Sequence, residues 1–263
     1  MSEGVAVLGP KGTFTETAAL KLYPEAKIEY ANDVDSVFRF VDSGGGKGVV
    51  AIENSLEGSV GYNMECLMRY DVKITAEVVL DIVLCLIAKN RVRNEEIKVI
   101  FSHPHALGQC RRYLDKNYPN AIREARASTA EAILEASKRD DATAIGFKDT
   151  GLTYGLRIVA EGIQDEQSQT RFIALSRQAS YGPKTSIIFA TKNEPGALHS
   201  ILGIFAEKNI NLTNIESRPS RRKLGEYVFY VDFENNNMSA DEMDALHRKI
   251  REKTTYLKNL GSY

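Results

Sequence analysis

The stretch VAVLGPKGTFTETAALKLY, residues 5–23, contains the change of period that sets the fold. A short apolar run stops at Gly9-Pro10, a polar turn follows, and beyond it Thr13 and Glu16 stand at capping-box spacing ahead of a helical pattern. Strand, turn and helix in that order form the unit of a parallel α/β sheet. Working outward, the unit recurs. GVVAI (48–52) runs into ENSLEGSVGYNMECLM (53–68), and VIF (99–101) into SHPHALGQCRRYL (102–114), where Pro104 suits a first helical turn. AIREARA (121–127) meets STAEAILEASK (128–138), with Ser128 and Glu131 at capping-box spacing, and TAIG (143–146) meets FKDTGLTYG (147–155). In open α/β sheets the carboxyl ends of strands and the helix N-termini after them build the ligand crevice, because free backbone N–H groups and helix dipoles converge there. Such a crevice suits a ligand rich in carboxylates.

Beyond Leu175 the order of elements changes. SRQASYGPK (176–184) is polar, holds a Gly-Pro pair and has no periodicity, so it reads as a linker between a first domain of residues 1–177 and a second of residues 185–263. The second domain begins with the strand TSIIFAT. PGALHSILGIFAEKN is a helix with Pro195 at its start, and the strands INLTNIESRP and GEYVFYVDFE follow. SADEMDALHRKIREK is a helix opened by Ser239 and Glu242, and TTYLKNLGSY supplies a last strand. That βαββαβ order is the ferredoxin-like arrangement, which serves ligand or partner binding more often than chemistry.

With 263 residues, 43% of them hydrophobic, the chain supports two cores. Its 34 basic and 35 acidic residues leave a net charge of −1 without basic blocks or acidic tails, which argues against nucleic acid or an anionic membrane as partner. The N-terminus lacks a signal-peptide pattern and no apolar run has membrane-spanning length, so a cytoplasmic protein is expected. Cys66, Cys85 and Cys110 are too scattered for a disulfide framework or a thiol metal cluster. His103 and His105 are two apart, and His199 and His247 lie in the second domain, so no metal site is expected. GGGKG (44–48) lacks the hydroxyl after Lys and precedes a strand, which makes it a turn rather than a phosphate loop. Ser102-His103 are adjacent, a poor geometry for a nucleophile and its base.

What remains is a set of neutral hydrogen-bonding groups at successive strand ends: Thr13, Asn54, Ser55, Ser102, Gln109, Ser128, Thr129 and Thr170. Thr170 opens the triplet Thr170-Arg171-Phe172 in GIQDEQSQTRFIALS (162–176), where a polar run passes abruptly into an apolar strand. Singly, each group is a common cap or turn residue. In order and spacing, however, GPKGTFTETAA, AIENSLEGSV, SHPHALGQC, STAEA and IQDEQSQTRF resemble the signature segments of prephenate dehydratases, and PGALHSILGIFAEKNINLTNIESRP resembles the ACT regulatory domain of those enzymes.

The resemblance implies a two-lobed catalytic part similar to a periplasmic binding protein, with the active site in the cleft. It implies conversion of prephenate to phenylpyruvate without a cofactor, feedback control by L-phenylalanine, and a homodimer or homotetramer. Thr170 occupies the position held essential for loss of the ring hydroxyl, and Asn54, Gln109 and Ser102 match other catalytic positions. Thr13, Ser55, Ser128, Thr129 and Arg171 are the matching candidates for substrate contact, although strand alternation warns that Arg171 faces away if Thr170 faces the cleft. By the same rule Glu53 is a weaker candidate than Asn54, and Phe172 is expected in the core. For the effector, Gly196, Ala197 and Leu198 match one half of the phenylalanine site and Glu216, Ser217, Arg218 and Pro219 the other, with the backbone at Asn211 and Leu212 available to its ammonium group. Three positions depart from the family pattern: Ser168 for a common Asn, Ala51 for a frequent Pro, and His105 for a frequent Gln. With no chorismate mutase segment ahead of GPKGTF, a monofunctional enzyme is expected; arogenate dehydratase and a non-catalytic amino-acid sensor are the alternatives.

Overall fold

The computed structural model describes residues 4–90, 93–220, 226–236 and 238–263. Lobe 1 is formed by β1 (Gly4–Leu8), α1 (Phe14–Leu22), β2 (Lys27–Ala31), α2 (Val34–Asp42), β3 (Lys47–Asn54), β4 (Gly58–Ser59), α3 (Gly61–Arg69) and β5 (Lys73–Ile82). The chain then enters lobe 2, with β6 (Cys85–Ala88), β7 (Val99–Ser102), α4 (Pro104–Gln109), α5 (Arg111–Asn117), β8 (Ile122–Ala125), α6 (Thr129–Ala136), β9 (Ala142–Gly146), α7 (Lys148–Thr153) and β10 (Arg157–Glu161). It returns through β11 (Ser168–Ser176), which inserts between β3 and β5 to give the order β2-β1-β3-β11-β5. Lobe 2 has the order β10-β6-β9-β7-β8. Both sheets are mixed rather than purely parallel. The expected strand–helix units do pair in parallel, but β11 runs antiparallel to both neighbours and β6 antiparallel to β9, because these are the strands on which the chain crosses between lobes.

Two predicted helices depart from their sequence pattern. The segment after GVVAI continues as strand through Asn54, turns, and pairs back as β4 before α3 starts at Gly61. The Asn54 side chain causes this: its Oδ1 accepts the backbone N–H groups of Leu56 and Glu57, a local turn that competes with helix. The helix after VIF breaks at Cys110, because the Asp165 carboxylate accepts the N–H groups of Arg112 and Tyr113 and so caps a new helix start. The caps expected at Thr13, Ser128 and Ser239 are all made.

Residues 177–183 join β11 to β12 (Lys184–Ala190) without helix or strand. Then come α8 (Ala197–Glu207), β13 (Leu212–Pro219), β14 (Tyr227–Glu234), α9 (Ala240–Lys253) and β15 (Tyr256–Ser262), in a sheet ordered β13-β14-β12-β15, which is the ferredoxin-like arrangement. α8 starts at Ala197, two residues past Pro195, with left-handed Gly196 as its cap. The two faces of this sheet have different partners. Ile187, Phe189, Val231 and Phe233 pack beneath α8 and α9, whereas Ile188, Val228, Tyr230 and Leu260 join one core with Ile52, Met64, Leu67 and Ile173 of lobe 1. The second domain thus completes the back of the lobe 1 sheet. At the seam the Tyr230 hydroxyl donates to the Met64 carbonyl at 2.9 Å, and the half-buried Lys258 ammonium donates to the carbonyls of Leu67 and Tyr70 at the end of α3.

On the front of that sheet Phe172 and Ala174 pack with Val5, Val7, Ala18, Ala19 and Val49, and Phe172 is 2% exposed. Phe172→Ala should lower unfolding free energy by about 3–5 kcal/mol in a denaturant titration. A loss below about 1 kcal/mol would mean that the front face of β11 is not a close-packed core.

Candidate active site

Alternation along β11 sends Phe172 and Ala174 toward α1 and Ile173 toward the second domain, so Thr170 projects forward and Arg171 backward. β3 would turn Asn54 backward by the same rule. A bulge reverses it: Ile52 and Glu53 together oppose Arg171, since Arg171 pairs with Glu53 and Phe172 with Ala51. The extra residue re-aims Asn54 to the face of Thr170, and its Nδ2 donates to Thr170 Oγ1 at 2.9 Å. The direction of this bond follows from the turn. Because Asn54 Oδ1 already accepts from Leu56 and Glu57, the amide presents its NH₂ to Thr170, whose hydroxyl oxygen must accept. The Thr170 proton is then free to donate into the cleft.

The same turn carries Glu57 toward lobe 2. Its carboxylate meets His105 Nδ1 at 2.5 Å and accepts from Gln109 Nε2 at 3.4 Å, both on α4, so one side chain of lobe 1 holds two of lobe 2. Elsewhere the lobes touch where Thr150 Oγ1 donates to the Gly12 carbonyl at 2.6 Å and where the Phe14 and Phe147 rings meet. Gly12 has φ +85°, and a Cβ there would collide with Thr150, so glycine is required for the approach. Thr170, Asn54, Glu57 and Gln109 form one hydrogen-bonded path from the sheet of lobe 1 across to lobe 2. All but one of these groups are neutral, and the carboxylate is held by its two donors.

The other sequence candidates have local duties. Thr13 and Ser128 cap α1 and α6 through the N–H groups of Glu16 and Glu131, and Thr129 stands beside Gly146 at the start of α6. The Ser55 hydroxyl accepts from the Gln169 N–H at 2.9 Å and fastens the turn to β11. Two expectations change. Ser102 is completely buried and its hydroxyl donates to the Ile145 carbonyl at 2.8 Å, so it ties β7 to the neighbouring strand β9 and does not reach the cleft. Arg171 is withdrawn from substrate contact by alternation: its guanidinium donates to Glu77 and Asp232 at 2.6 Å each and to the Tyr263 hydroxyl at 2.8 Å, with Glu53 at 3.7 Å. In the second domain Gly196 has φ +81° with open space around it, and Ala197 and Leu198 begin α8. Leu212 through Pro219 form the edge strand β13, in which Glu216, Ser217, Arg218 and Pro219 all pair with β14, and the Arg218 side chain donates to Glu216 at 2.8 Å and reaches the Ser59 carbonyl of lobe 1. The Asn211 carbonyl already accepts the N–H of Glu234 at 3.0 Å.

Among the described residues no group of three His, Cys, Asp or Glu side chains could hold a metal ion. The three cysteines are buried free thiols, and burial pushes Cys110 up to about 12. His103 is held below its ordinary value by burial and then by His105, so its neutral ring can accept the N–H of His105. Sequence reading missed Glu57, whose spacing from Asn54 gives no sign that it crosses to α4, and noticed His105 only as a departure from pattern. It also missed Asp232 and Tyr263, although an acid inside the apolar strand YVFYVDFE was a visible oddity.

Two lobes with a polar cleft, followed by a ferredoxin-like domain, define a ligand-gripping catalytic fold with a regulatory module attached. Residues 5–180 match the sequence pattern of the prephenate dehydratase family and residues 185–251 that of the ACT domain. The chain is 41% identical to the prephenate dehydratase of Methanocaldococcus jannaschii, over all of this chain and 98% of that one. It is 38% identical to arogenate dehydratase/prephenate dehydratase 2 of Arabidopsis thaliana, over 98% of this chain and 72% of that one. Prephenate dehydratase from Arthrobacter aurescens, solved in complex with L-Phe, superposes with a TM-score of 0.88 at 31% identity, over 98% of this chain and 89% of that one. The chain belongs to the prephenate dehydratase family and ends in an ACT domain.

Asn54→Asp isolates the direction of the Thr170 bond. Asp keeps the acceptor for Leu56 and Glu57 but takes the Thr170 proton instead of donating to its oxygen. This variant should melt near wild type while kcat for the dehydration falls by ~10²–10⁴. Wild-type kcat in a folded Asn54→Asp protein would break the link between that bond and turnover.

Proposed function

We propose that this chain converts prephenate to phenylpyruvate and that L-phenylalanine bound to its ACT domain restrains the reaction. The observation that carries the catalytic reading is a threonine hydroxyl fixed as an acceptor on one side, with its proton left for the substrate. In the reaction the bond between the ring and its carboxylate breaks to release CO₂, the electron pair enters the ring, and the C–O bond on the opposite face breaks. The Thr170 hydroxyl donates a hydrogen bond to the departing oxygen, which leaves as hydroxide with the C–O bonding pair while Thr170 keeps its proton; Gln109, fixed by Glu57, donates to the substrate. Aromatisation drives the step, so no strong acid and no cofactor are needed. Thr13, Ser128 and Thr129 stand at the starts of α1 and α6, where free N–H groups suit the substrate carboxylates, and Ser55 holds the turn. Residues 1–177 supply the catalytic lobes and residues 185–263 the regulatory domain. β13 lies at the sheet edge with unpaired backbone groups, which supports pairing of ACT domains in a homodimer or homotetramer. No helix among the described residues is long and apolar enough to cross a membrane; the cytoplasmic location we propose rests on the sequence alone.

The test is direct: purified protein with prephenate at neutral pH, following phenylpyruvate. Thr170→Ala should lower kcat by ~10²–10⁴ with a much smaller change in KM, and Thr170→Ser should retain more activity. An Ala variant with wild-type kcat removes Thr170 from the chemistry. Arogenate, with an amino group in place of the keto group, is assayed in parallel because an arogenate/prephenate dehydratase stands among the full-length relatives.

The effector site is tested at Gly196. Gly196→Asp places a carboxylate where the effector carboxylate would meet the start of α8, and it should weaken phenylalanine inhibition by about tenfold or more. Truncation after β11 is a poor substitute, since it strips Ile188, Val228, Tyr230 and Leu260 from the core of lobe 1. Unchanged inhibition in Gly196→Asp moves the effector away from α8.

A further inference from the structure

Thr170 and Arg171 are adjacent in the chain and opposite in direction. Arg171 is 12% exposed and lies on the seam between lobe 1 and the ACT domain, where Asp232 of β14 and the terminal Tyr263 take two of its nitrogens and Glu77 of β5 takes the third. The ACT partners are themselves fixed: the Ser186 hydroxyl of β12 donates to Asp232 at 2.5 Å and lies 2.7 Å from the Tyr263 hydroxyl. Glu77 is also held by Lys184, at 2.9 Å, where β12 begins. Two cations and three carboxylates, counting Glu53, therefore interlock across the seam at the residue next to the leaving-group donor.

The local backbone makes this connection consequential. At Arg171 the ladder to β3 is interrupted by the bulge, so on that side regular pairing does not fix the strand. The guanidinium does so from behind. A planar group bound by three partners accepts little displacement, and a shift of β14 against lobe 1 must either draw Arg171 with it or leave buried charges unpaired.

We propose that Arg171 is a positioning residue through which the ACT domain sets the aim of the Thr170 hydroxyl, so that effector binding reaches the reaction by moving Asp232 and Tyr263 against β11. The inference rests on the reading of Thr170 and of the ACT domain given above.

The test uses full-length Asp232→Asn and Tyr263→Phe, with Lys258→Met as a control. Lys258 crosses the same seam to the end of α3 and makes no hydrogen bond to β11. For each protein kcat and KM for prephenate, phenylalanine affinity by calorimetry and inhibition at saturating phenylalanine are measured. Asp232→Asn should lower kcat by about 10–10²-fold with KM little changed, as expected for a misplaced catalytic group. Phenylalanine should still bind it, yet reduce its turnover far less than it reduces that of the wild type. Tyr263→Phe should move both quantities in the same direction by less, and Lys258→Met should lower the melting temperature while leaving both in place. Should Asp232→Asn fail to fold, Tyr263→Phe decides, since it removes one hydroxyl and leaves the Arg171–Glu77–Asp232 pairs. Wild-type kcat and inhibition in the folded variants overturn the inference, as does a Lys258→Met protein that loses coupling equally. A wild-type chain inert toward prephenate defeats the reading of the site, and this inference falls with it; an active, phenylalanine-sensitive wild type confines any failure to Arg171.

Discussion

The period-two alternation of β11 is the constraint on which the rest of the molecule depends. A strand between two neighbours must place successive side chains on opposite faces, and this one has the cleft and α1 before it and the ACT domain behind it. Thr170 and Phe172 therefore belong to the front, one to the site and one to the core, while Arg171 and Ile173 belong to the seam. A one-residue slip would bury Thr170 against the second domain and send a guanidinium into the cleft. Every polar partner of Arg171 opposes that slip, because a buried guanidinium without its carboxylates is costly. Burial works against the Arg171 charge, but Asp232, Tyr263 and Glu77 outweigh it and hold the group above its ordinary value. Glu77 shows the complementary effect: burial alone would raise it, and Arg171 with Lys184 brings it below the usual carboxylate range.

The cleft is built on a different electrostatic plan. The substrate class carries two carboxylates, and a fixed negative charge near it would repel it; the side chain bonded to Thr170 is accordingly a neutral amide, that of Asn54. Glu57 is the exception, and its partners explain how it is tolerated: His105 and Gln109 of the facing lobe take its two oxygens. The carboxylate thereby becomes a fastening between lobes and aims the Gln109 amide. His105, on the facing helix, supplies one of the two donors to that carboxylate, through Nδ1 at 2.5 Å.

Much of this was legible in the sequence. Capping-box spacing located the helices that begin at Thr13, Ser128 and Ser239, and the switch from strand–helix units to βαββαβ order located the second domain, since caps and periods are local properties. Alternation alone warned that Arg171 would turn from the cleft. What remained hidden was nonlocal. The bulge at Ile52 and Glu53 depends on how β3 meets β11, strands more than a hundred residues apart in the chain, and without it strict alternation would carry Asn54 to the face of Ile52. Ser102 looked like a cleft residue because it ends a strand, yet its hydroxyl found a carbonyl on the next strand and stayed inside. Glu57, Asp232 and Tyr263 act on residues of other units, and no local pattern marks a side chain whose partner lies across a cleft or a seam.

The shared core also limits how separable the two domains can be. Ile188, Val228, Tyr230 and Leu260 are buried against Ile52, Met64, Leu67 and Ile173, so the sheet of lobe 1 has no finished back surface of its own. An ACT domain tethered only by a linker could bind its ligand without consequence for catalysis, because a ligand shifts an equilibrium only by its differential interaction with the two states. Here any state in which the ACT sheet moves must repack that core and the Arg171 cluster together, since close-packed interiors have discrete arrangements rather than a continuum. The apolar part of the seam makes the motion cooperative, and the ionic part, attached to the residue beside Thr170, gives it a direction in the active site.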